Sequence, residues 1–467
     1  MSKQAADFSQ GSVRSAVLRM AAPMTLAQLI NILYNIVDRV FIGQIPVTGR
    51  LELTGLGLCL PIISIIMGFA NLCGVGGGSL FSIRRGEGDD GECRAILGNS
   101  FALLILLGTA VTLILLTLRE PLLWLFGASE DTFGYANDYL TIYLCGTIFV
   151  MISLGMNPFI NAQGFATTGM LTVALGAAIN LILDPILIFA CGMGVRGAAL
   201  ATIIAQGCSA VWVLRFLTAK STPHRLTLAG LRLKARRVKR IFALGLSGFF
   251  MNLTNSLVQI VCNATLQATG GDLYVGVMTV LNSIREVVML FAQGLNNGAQ
   301  PVMGYNYGAR LYGRVRQTIR FSVSCTIGYA VCVWLVTMLL PGPLIRIFNG
   351  EAALVEAGIP AMRIYFCMFL FMSLQIAGQT VFTALGRSKN AVFFSLFRKA
   401  IINAPLTILL AHWMGSTGVF TAEAVSQLVG GLACFTTMCL TVYRPLSHLE
   451  DGEALPIHHR HLSQRHV

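Results

Sequence analysis

The chain has 467 residues, of which 55% are hydrophobic and only 11% charged, and its mean hydropathy is +0.72. Soluble globular chains are far less apolar, so a protein surrounded by water on all sides is excluded. The net charge of +13 could favour nucleic-acid binding, but the Lys and Arg residues fall in alternate loops between apolar stretches, which indicates membrane topology instead. We therefore expect no nucleic acid among the partners.

Twelve apolar stretches follow one another along the chain, each long enough to cross a hydrocarbon core of about 30 Å. They lie near 15–43, 55–83, 95–118, 134–156, 168–190, 196–217, 239–267, 273–304, 318–340, 358–384, 390–411 and 417–442. The sequence predicts an all-α integral membrane protein with twelve transmembrane helices. No cleavage pattern follows the polar segment 1–14, so the first helix is expected to remain in the protein.

Basic residues are concentrated on one side of the predicted membrane. The inner loops carry Arg84, Arg85, the stretch 218–240 and the stretch 310–320. The outer loops hold only Arg50, Arg119, Arg196 and Arg346. By the positive-inside rule, both termini are cytoplasmic and the number of spans is even. We expect a multi-pass protein of the inner membrane.

Motifs for catalysis and for ATP hydrolysis are missing from the sequence. No G-x-x-x-x-G-K-[ST] motif occurs, which excludes an ATP-driven pump on this chain alone. Ten of the twelve cysteines lie in apolar spans without a CxxC pair, so we interpret them as small buried hydrophobic residues. Asp89 and Asp90 leave a membrane-embedded prenyl transferase as an alternative, although its second Asp-rich motif is absent. We predict no enzyme, no metal site, and no cofactor besides a coupling ion.

The two halves of the sequence are related. Pro23 can be set against Ser247, and further on Gly76 matches Gly298 at a nearly constant offset, which indicates two copies of a six-helix unit in parallel orientation. We expect an N-terminal lobe at 1–217, a mobile basic cytoplasmic linker at 218–238, a C-terminal lobe at 239–444 and a cytoplasmic tail at 445–467. Two lobes joined by a linker suit a transporter that alternates access to a shared cavity.

Polar residues form a stripe along the first span. Gln28, Asn31, Asn35 and Asp38 are three, four and three residues apart, so they share one face of a helix. A carboxylate at membrane depth is costly unless it is paired or hydrated, which marks Asp38 as a functional residue. The alternative is an ion pair between Asp38 and the adjacent Arg39 near the end of the helix.

A second polar set occupies the fifth and sixth spans. Asn180 and Asp184 are one helical turn apart, and Thr202 follows in the next span. Together with Asp38 they offer the oxygen ligands that suit Na⁺, while two close carboxyl groups can also share a proton. The second half has Cys262 opposite Asp38 and Glu423 opposite Thr202, and its helices also carry Arg398 and Lys399, so we predict asymmetric coupling.

These residues stand within longer stretches that resemble a known family. The stretches at 35–43, 162–164, 180–185, 197–202 and 298–309 closely resemble the multidrug and toxic compound extrusion (MATE) family, over nearly the whole chain from Arg14 to Arg444. The resemblance implies two pseudo-symmetric six-helix lobes that form a V-shaped central cavity. It implies a cation site at Asp38, Asn180, Asp184 and Thr202, with Tyr34 and Asn157 lining the same cavity and Pro23 at a bend of the first helix.

The predicted function is a multidrug efflux antiporter that exports cationic or amphipathic compounds in exchange for H⁺, which we favour, or Na⁺. Further cavity candidates are Gln28, Asn31, Asn35, Asn255, Gln259, Arg285, Glu286, Gln375 and Gln379. The seventh and tenth helices lack the acids that some family members carry there, so a second cation site is not predicted. A lipid-linked oligosaccharide flippase with the same two lobes is the alternative transporter. We expect the protein to act as a monomer in the lipid bilayer.

The topology can be tested with reporter fusions. A reporter inserted after Lys234 should report the cytoplasm, and one inserted near Gly270 should report the outside, because one predicted span separates the two sites. Finding both reporters on one side would contradict the span count.

Overall fold

A computed structural model describes residues 7–348 and 351–453 of the chain, and all regular secondary structure in these ranges is helical. The α-helices are α1 (Val13–Gly43), α2 (Gly49–Gly86), α3 (Asp90–Leu125), α4 (Glu130–Cys145), α5 (Thr147–Ala162), α6 (Ala166–Pro185), α7 (Val195–Thr218), α8 (Ala235–Gly308), α9 (Tyr312–Leu339), α10 (Pro341–Phe348), α11 (Ala352–Phe366), α12 (Phe369–Ala384), α13 (Ser388–Leu396), α14 (Ala404–Met414), α15 (Ser416–Met438) and α16 (Arg444–Ser447). Part of the expected tail, 454–467, lies outside the described residues.

The helices reproduce the predicted spans. Ten helical segments are each long and apolar enough to cross a membrane, and two further spans are bent pairs, with angles of 58° between α4 and α5 and 46° between α11 and α12. Helix α8 contributes two of the ten, because it breaks at Gly271, whose φ of 66° suits glycine. The described residues therefore supply ten candidate spans, or twelve if each bent pair is one span, and the predicted all-α membrane fold is confirmed.

π-helical segments continue three of the spans. They are Ile186–Ala190 after α6, Phe397–Asn403 between α13 and α14, and Cys439–Tyr443 after α15. In the first case Pro185 removes a backbone donor, which favours a change in the hydrogen-bond pattern at that point. The first two segments adjoin the two clusters of buried polar residues described below.

The chain divides into two compact units. One unit contains Ala22–Phe249, and the other contains Phe8–Ala21 together with the residues from 250 onward. The first turns of α1 thus pack with the second unit, and the first turns of α8 pack with the first unit. The first boundary crosses α1 directly before Pro23, which lies within an otherwise continuous helix.

Two glycines explain why the start of α1 packs in the second unit and the start of α8 packs in the first unit. In the first unit, Gly76 of α2 lies so close to α8 that an added Cβ atom would overlap the carbonyl oxygen of Ile241. In the second unit, an added Cβ atom on Gly298 would lie 2.5 Å from the Cα atom of Ala21 in α1. Gly76 and Gly298 are the pair matched in the sequence repeat, so both copies use the same close helix contact.

Hydrogen bonds connect the linker to the first unit. The Asn99 side chain of α3 donates hydrogen bonds to the carbonyl oxygens of Gly230 and Arg232, each at 2.8 Å, and its oxygen accepts one from the Lys234 amide at 3.1 Å. Arg237 donates to both carboxylate oxygens of Glu92, at 3.0 and 2.6 Å. One buried amide and one bidentate ion pair therefore fix the linker.

The glycine contact gives a prediction about folding. Gly76→Ala should lower the free energy of unfolding by about 1–3 kcal/mol, because the methyl group forces α2 and α8 apart. Gly57→Ala on the same helix is the matched control, since an added Cβ atom there has no atom within 4 Å. Thermal unfolding of the two purified variants measures the difference. Equal midpoints would contradict the close contact.

Candidate cation-coupling site

The first cluster of buried polar residues forms where α1, α6 and α7 bring their side chains together. Asp38 lies near the end of α1, and Asn180 and Asp184 lie one turn apart in the last part of α6. Helix α7 packs against α6 and contributes Thr202 from its second turn. The start of α7 is held by Glu52, whose carboxylate accepts the Val195 amide at 2.6 Å. This bond satisfies one of the free N–H groups at a helix start.

The four predicted coupling residues are adjacent in the structure. The Asn180 amide donates to Asp184 Oδ1 at 3.2 Å and to Thr202 Oγ1 at 3.4 Å. The carboxyl groups of Asp38 and Asp184 lie within hydrogen-bonding reach of each other. Asp184 is 0% exposed, Asn180 2% and Asp38 8%. Two carboxyl groups this close and this buried repel each other unless a proton or another cation lies between them.

Three oxygen atoms of the cluster have no hydrogen-bond donor among the described residues. They are Asp38 Oδ1, Asn180 Oδ1 and Asp184 Oδ2, and all three are buried. A buried acceptor without a donor loses its hydration without compensation. A proton or a metal cation would supply that compensation, because carboxylate and amide oxygens are its natural ligands.

Tyrosines surround the carboxyl pair. Tyr34 of α1 lies within electrostatic range of both Asp38 and Asp184. Tyr139 of α4 is also within range of Asp38, and its ring stacks on Tyr143 at a centroid distance of 6.1 Å. Sequence analysis named Tyr34 but missed Tyr139 and Tyr143. The only available signal was their spacing of four residues in the fourth span, which alone does not distinguish a site from packing.

The alternative ion pair between Asp38 and Arg39 does not form. Arg39 is exposed, and the ion pairs within the described residues do not include it. Neighbouring residues on a helix point about 100° apart, so the buried carboxyl of Asp38 and the exposed guanidinium of Arg39 face different surroundings.

Other candidates of the first unit lie outside the cluster. Asn35 donates to the backbone and side-chain oxygens of Asn31 at 2.7 and 2.9 Å, and Gln28 lies about 15 Å from Asp38 along α1. Asn157 donates to the Gly169 carbonyl at 3.2 Å. Because Gly169 is about 22 Å from Asp184 along α6, Asn157 is not a neighbour of the coupling residues.

The candidate residues of the second unit lie in different environments. Asn255 is exposed and Gln259 half-buried, one turn apart on α8. Gln375 donates to the Phe394 carbonyl at 3.2 Å, and Gln379 donates to the Ala391 carbonyl at 3.4 Å and to the Ser395 hydroxyl. These two glutamines tie α12 to α13, which is a packing role.

The sequence left open which of Arg285 and Glu286 points inward. The structure places Arg285 inside, where it donates to the Tyr365 hydroxyl at 2.9 Å, while Glu286 is exposed. Tyr365 in turn donates to Asn282 Oδ1 at 3.2 Å, so its lone pairs face Arg285.

A second cluster of buried polar residues is centred on Glu423 of α15. Its carboxylate accepts hydrogen bonds from Arg398 at 3.2 Å, Lys399 at 3.2 and 3.3 Å, Gln427 at 3.4 Å and Asn403. Thr407 donates to Asn403 Oδ1 at 3.0 Å and lies 3.9 Å from the Cys262 sulfur. Cys262 and Glu423, the counterparts of Asp38 and Thr202 in the repeat, thus belong to one cluster, as their partners do in the first unit.

The chain matches a known protein family over most of its length. The model of the MatE family matches residues 23–186 and 248–409. The chain belongs to the MatE family. The two matched segments fall in the two halves of the chain, as expected for a duplicated unit. Membership in this family of transporters confirms the resemblance and excludes the prenyl transferase.

Relatives of this MatE protein match it over nearly its full length. The multidrug export protein MepA of Staphylococcus haemolyticus (strain JCSC1435) is 25% identical over 423 residues, which are 90% of this chain and 92% of that protein. MepA of Staphylococcus aureus (strain N315) is 25% identical and covers 93% of this chain and 95% of its own length.

Solved structures share the fold. A MATE protein in complex with MaL6 superposes with a TM-score of 0.88 at 22% identity, covering 95% of this chain and 99% of that chain. A MOP superfamily transporter from Pyrococcus furiosus gives a TM-score of 0.88 at 22% identity, covering 95% and 98%.

Replacing one acid by its amide should have opposite effects on the stability of the protein in the two clusters. Asp38→Asn should abolish ion-driven efflux but leave the unfolding midpoint unchanged or raised, because it removes repulsion from Asp184. Glu423→Gln should destabilise the protein by about 3–5 kcal/mol, because it leaves buried Arg398 and Lys399 without their carboxylate.

Thermal unfolding and efflux of ethidium from proteoliposomes measure both effects. Cys262→Ala is the control at the position equivalent to Asp38, and it should keep most activity. A larger loss of stability from Asp38→Asn than from Glu423→Gln would contradict the charge assignment of the clusters.

Proposed function

We propose that this protein is a multidrug efflux antiporter, which exports organic cationic or amphipathic compounds while H⁺ or Na⁺ enters. The observation that carries the proposal is the close approach of the buried carboxyl groups of Asp38 and Asp184, in a cluster where three buried oxygens lack donors. Family membership and the MepA relatives support the export of drug-like compounds.

Coupling follows from competition for the carboxyl pair. With neither proton nor metal ion bound, Asp38 and Asp184 are anionic and attract an organic cation. Once a coupling ion binds, the pair loses negative charge and the organic cation is released. Because the effect of one ligand on the other is reciprocal, binding the substrate on the inside also promotes release of the coupling ion there. Alternating access of the two repeats then turns this competition into export.

We favour H⁺ as the coupling ion. A proton needs only the carboxyl pair, whereas Na⁺ needs several oxygen ligands at once. Three buried oxygens of the first cluster lack donors, Asp38 Oδ1, Asn180 Oδ1 and Asp184 Oδ2, while Thr202 Oγ1 already accepts from Asn180. The second cluster offers no further acid, because Glu423 is paired with Arg398 and Lys399.

The surroundings of the site favour export of cations over flipping of an anionic lipid-linked oligosaccharide. The first cluster contains two carboxyl groups and no basic side chain, whereas a flippase would require a strongly cationic cavity. We also propose that the protein works as a monomer in the inner membrane with both termini in the cytoplasm, which is supported by the basic residues in the linker and neighbouring loops.

The choice of ion predicts the pH dependence of substrate binding. If protons drive the cycle, the affinity for ethidium should fall as the pH is lowered through the titration of the carboxyl pair, because a neutral pair no longer attracts a cation. Asp184→Asn should remove most of this dependence. Ethidium fluorescence with purified protein, at constant ionic strength, measures the affinity.

The sodium experiment provides the contrasting outcome. Replacing choline by Na⁺ at fixed pH should leave ethidium affinity unchanged under proton coupling. Affinity that is independent of pH but falls with added Na⁺ would reverse the choice of ion.

A further inference from the structure

The linker between α7 and α8 lies against α3 at the level of the membrane border. An added Cβ atom on Gly98 of α3 would lie 2.3 Å from the carbonyl carbon of Gly230, so the two backbones touch. Gly98 is about 12 Å along the helix from its start at Asp90. The apolar stretch predicted for this helix begins near residue 95, so Gly98 lies roughly 5 Å inside it. The linker therefore reaches the border of the hydrocarbon core.

Exposed leucines lie beside this contact. Leu228 begins the short 3₁₀-helix Leu228–Leu231, and it is 87% exposed. Its Cα atom is within about 7 Å of that of Gly230, because two residues of chain span no more than that distance. Leu233 is 42% exposed. Removing apolar surface from water is favourable, so leucines this exposed at the border of the hydrocarbon core favour contact with lipid.

Three basic residues lie on the same stretch of the linker. Arg232, Lys234 and Arg236 are all exposed. The Asn99 side chain donates to the carbonyl oxygen of Arg232 and accepts from the amide of Lys234, which holds both backbones beside α3. In the part of the chain that the structure describes, none of the three basic side chains has a carboxylate oxygen within 4 Å.

Acids of the neighbouring segment 84–94 do not neutralise these basic side chains. Each of the four has another partner in the first unit: Glu87 pairs with Arg84, Asp89 accepts from the Glu92 amide, Asp90 contacts the His224 ring and Glu92 pairs with Arg237. The segments 84–94 and 218–240 together contain eleven Lys or Arg residues against those four acids. The linker therefore presents an exposed surface with a net positive charge.

We propose that this linker surface, formed by Leu228, Arg232, Leu233, Lys234 and Arg236, binds anionic phospholipids. The leucines enter the border of the acyl region, and the long basic side chains place their charges at the lipid phosphates. Each basic residue near an anionic membrane surface contributes about a factor of five in affinity. Bound lipid adds contacts to the segment that joins α7 to α8, so it should also raise the unfolding midpoint. Only the assignment to the cytoplasmic leaflet rests on the topology proposed above.

The test uses the purified full-length protein in detergent. Dioleoyl phosphatidylglycerol and dioleoyl phosphatidylcholine, which share their acyl chains and differ in net charge, are titrated while bound lipid is counted by native mass spectrometry and thermal unfolding is recorded. Arg232→Gln/Lys234→Gln removes two charges, and Leu228→Ser removes the apolar contact. Arg310→Gln/Arg320→Gln, at two exposed residues of the second unit, is the matched control for loss of two positive charges. Glycerol phosphate supplies the headgroup phosphate without acyl chains.

Saturable binding of phosphatidylglycerol, at least about tenfold tighter than that of phosphatidylcholine, is the expected result. It should weaken about thirtyfold in Arg232→Gln/Lys234→Gln and about tenfold in Leu228→Ser, while the control variant keeps it.

The proposal is overturned if the two lipids bind alike, if neither linker variant weakens binding, or if the control variant loses binding as fully as Arg232→Gln/Lys234→Gln. It is also overturned if glycerol phosphate displaces phosphatidylglycerol at equal concentration, because the linker would then bind phosphate without a membrane. Ethidium efflux by the wild-type protein is measured separately, so a failure of lipid binding is distinguishable from a failure of the export proposal.

Discussion

Two carboxyl groups are held together at membrane depth, and the organisation of the first unit follows from the cost of that contact. Asp38 and Asp184 cannot both be ionised in a poorly solvated site without strong repulsion. Asn180 reduces the cost by donating to Asp184, and its second contact, to Thr202, fixes the orientation of its amide. The amide oxygen of Asn180 is then left without a donor. These hydrogen bonds stabilise the cluster, but no basic side chain balances its two carboxyl groups.

In the second unit, the cost of burying a carboxylate is offset by basic side chains of the protein. Where the first cluster has acceptors without donors, Glu423 has a donor for every acceptor position, and the ammonium group of Lys399 contacts both of its oxygens. A carboxylate that is saturated by protein cations has no reason to bind and release an ion during each cycle. The duplicated fold thus contains one cluster with unpaired carboxyl oxygens and one whose carboxylate is paired with Arg398 and Lys399, so the two repeats differ in charge at equivalent places.

Sequence analysis could predict the features that depend on local spacing. Span lengths and the turn between Asn180 and Asp184 follow from helix geometry. The repeat set Cys262 and Glu423 against Asp38 and Thr202, and the first two residues do lie in one cluster. Features that depend on contacts between distant residues were not predictable. Asn99 holds a linker more than 130 residues away, and Tyr139 approaches Asp38 from another span. Neither residue carries a charge or motif, so nothing local separates it from ordinary packing.

The close contacts at Gly76 and Gly298 explain why the two compact units do not coincide with the two sequence repeats. Each glycine belongs to the second helix of its own repeat, yet each touches the first helix of the other repeat, at Ile241 and at Ala21. A larger residue at either position would push that helix away, so the exchange of helix starts is encoded by one absent side chain per repeat. Because the match Gly76 to Gly298 was visible in the sequence, the contact shows how a repeat of small residues specifies packing that hydropathy alone does not.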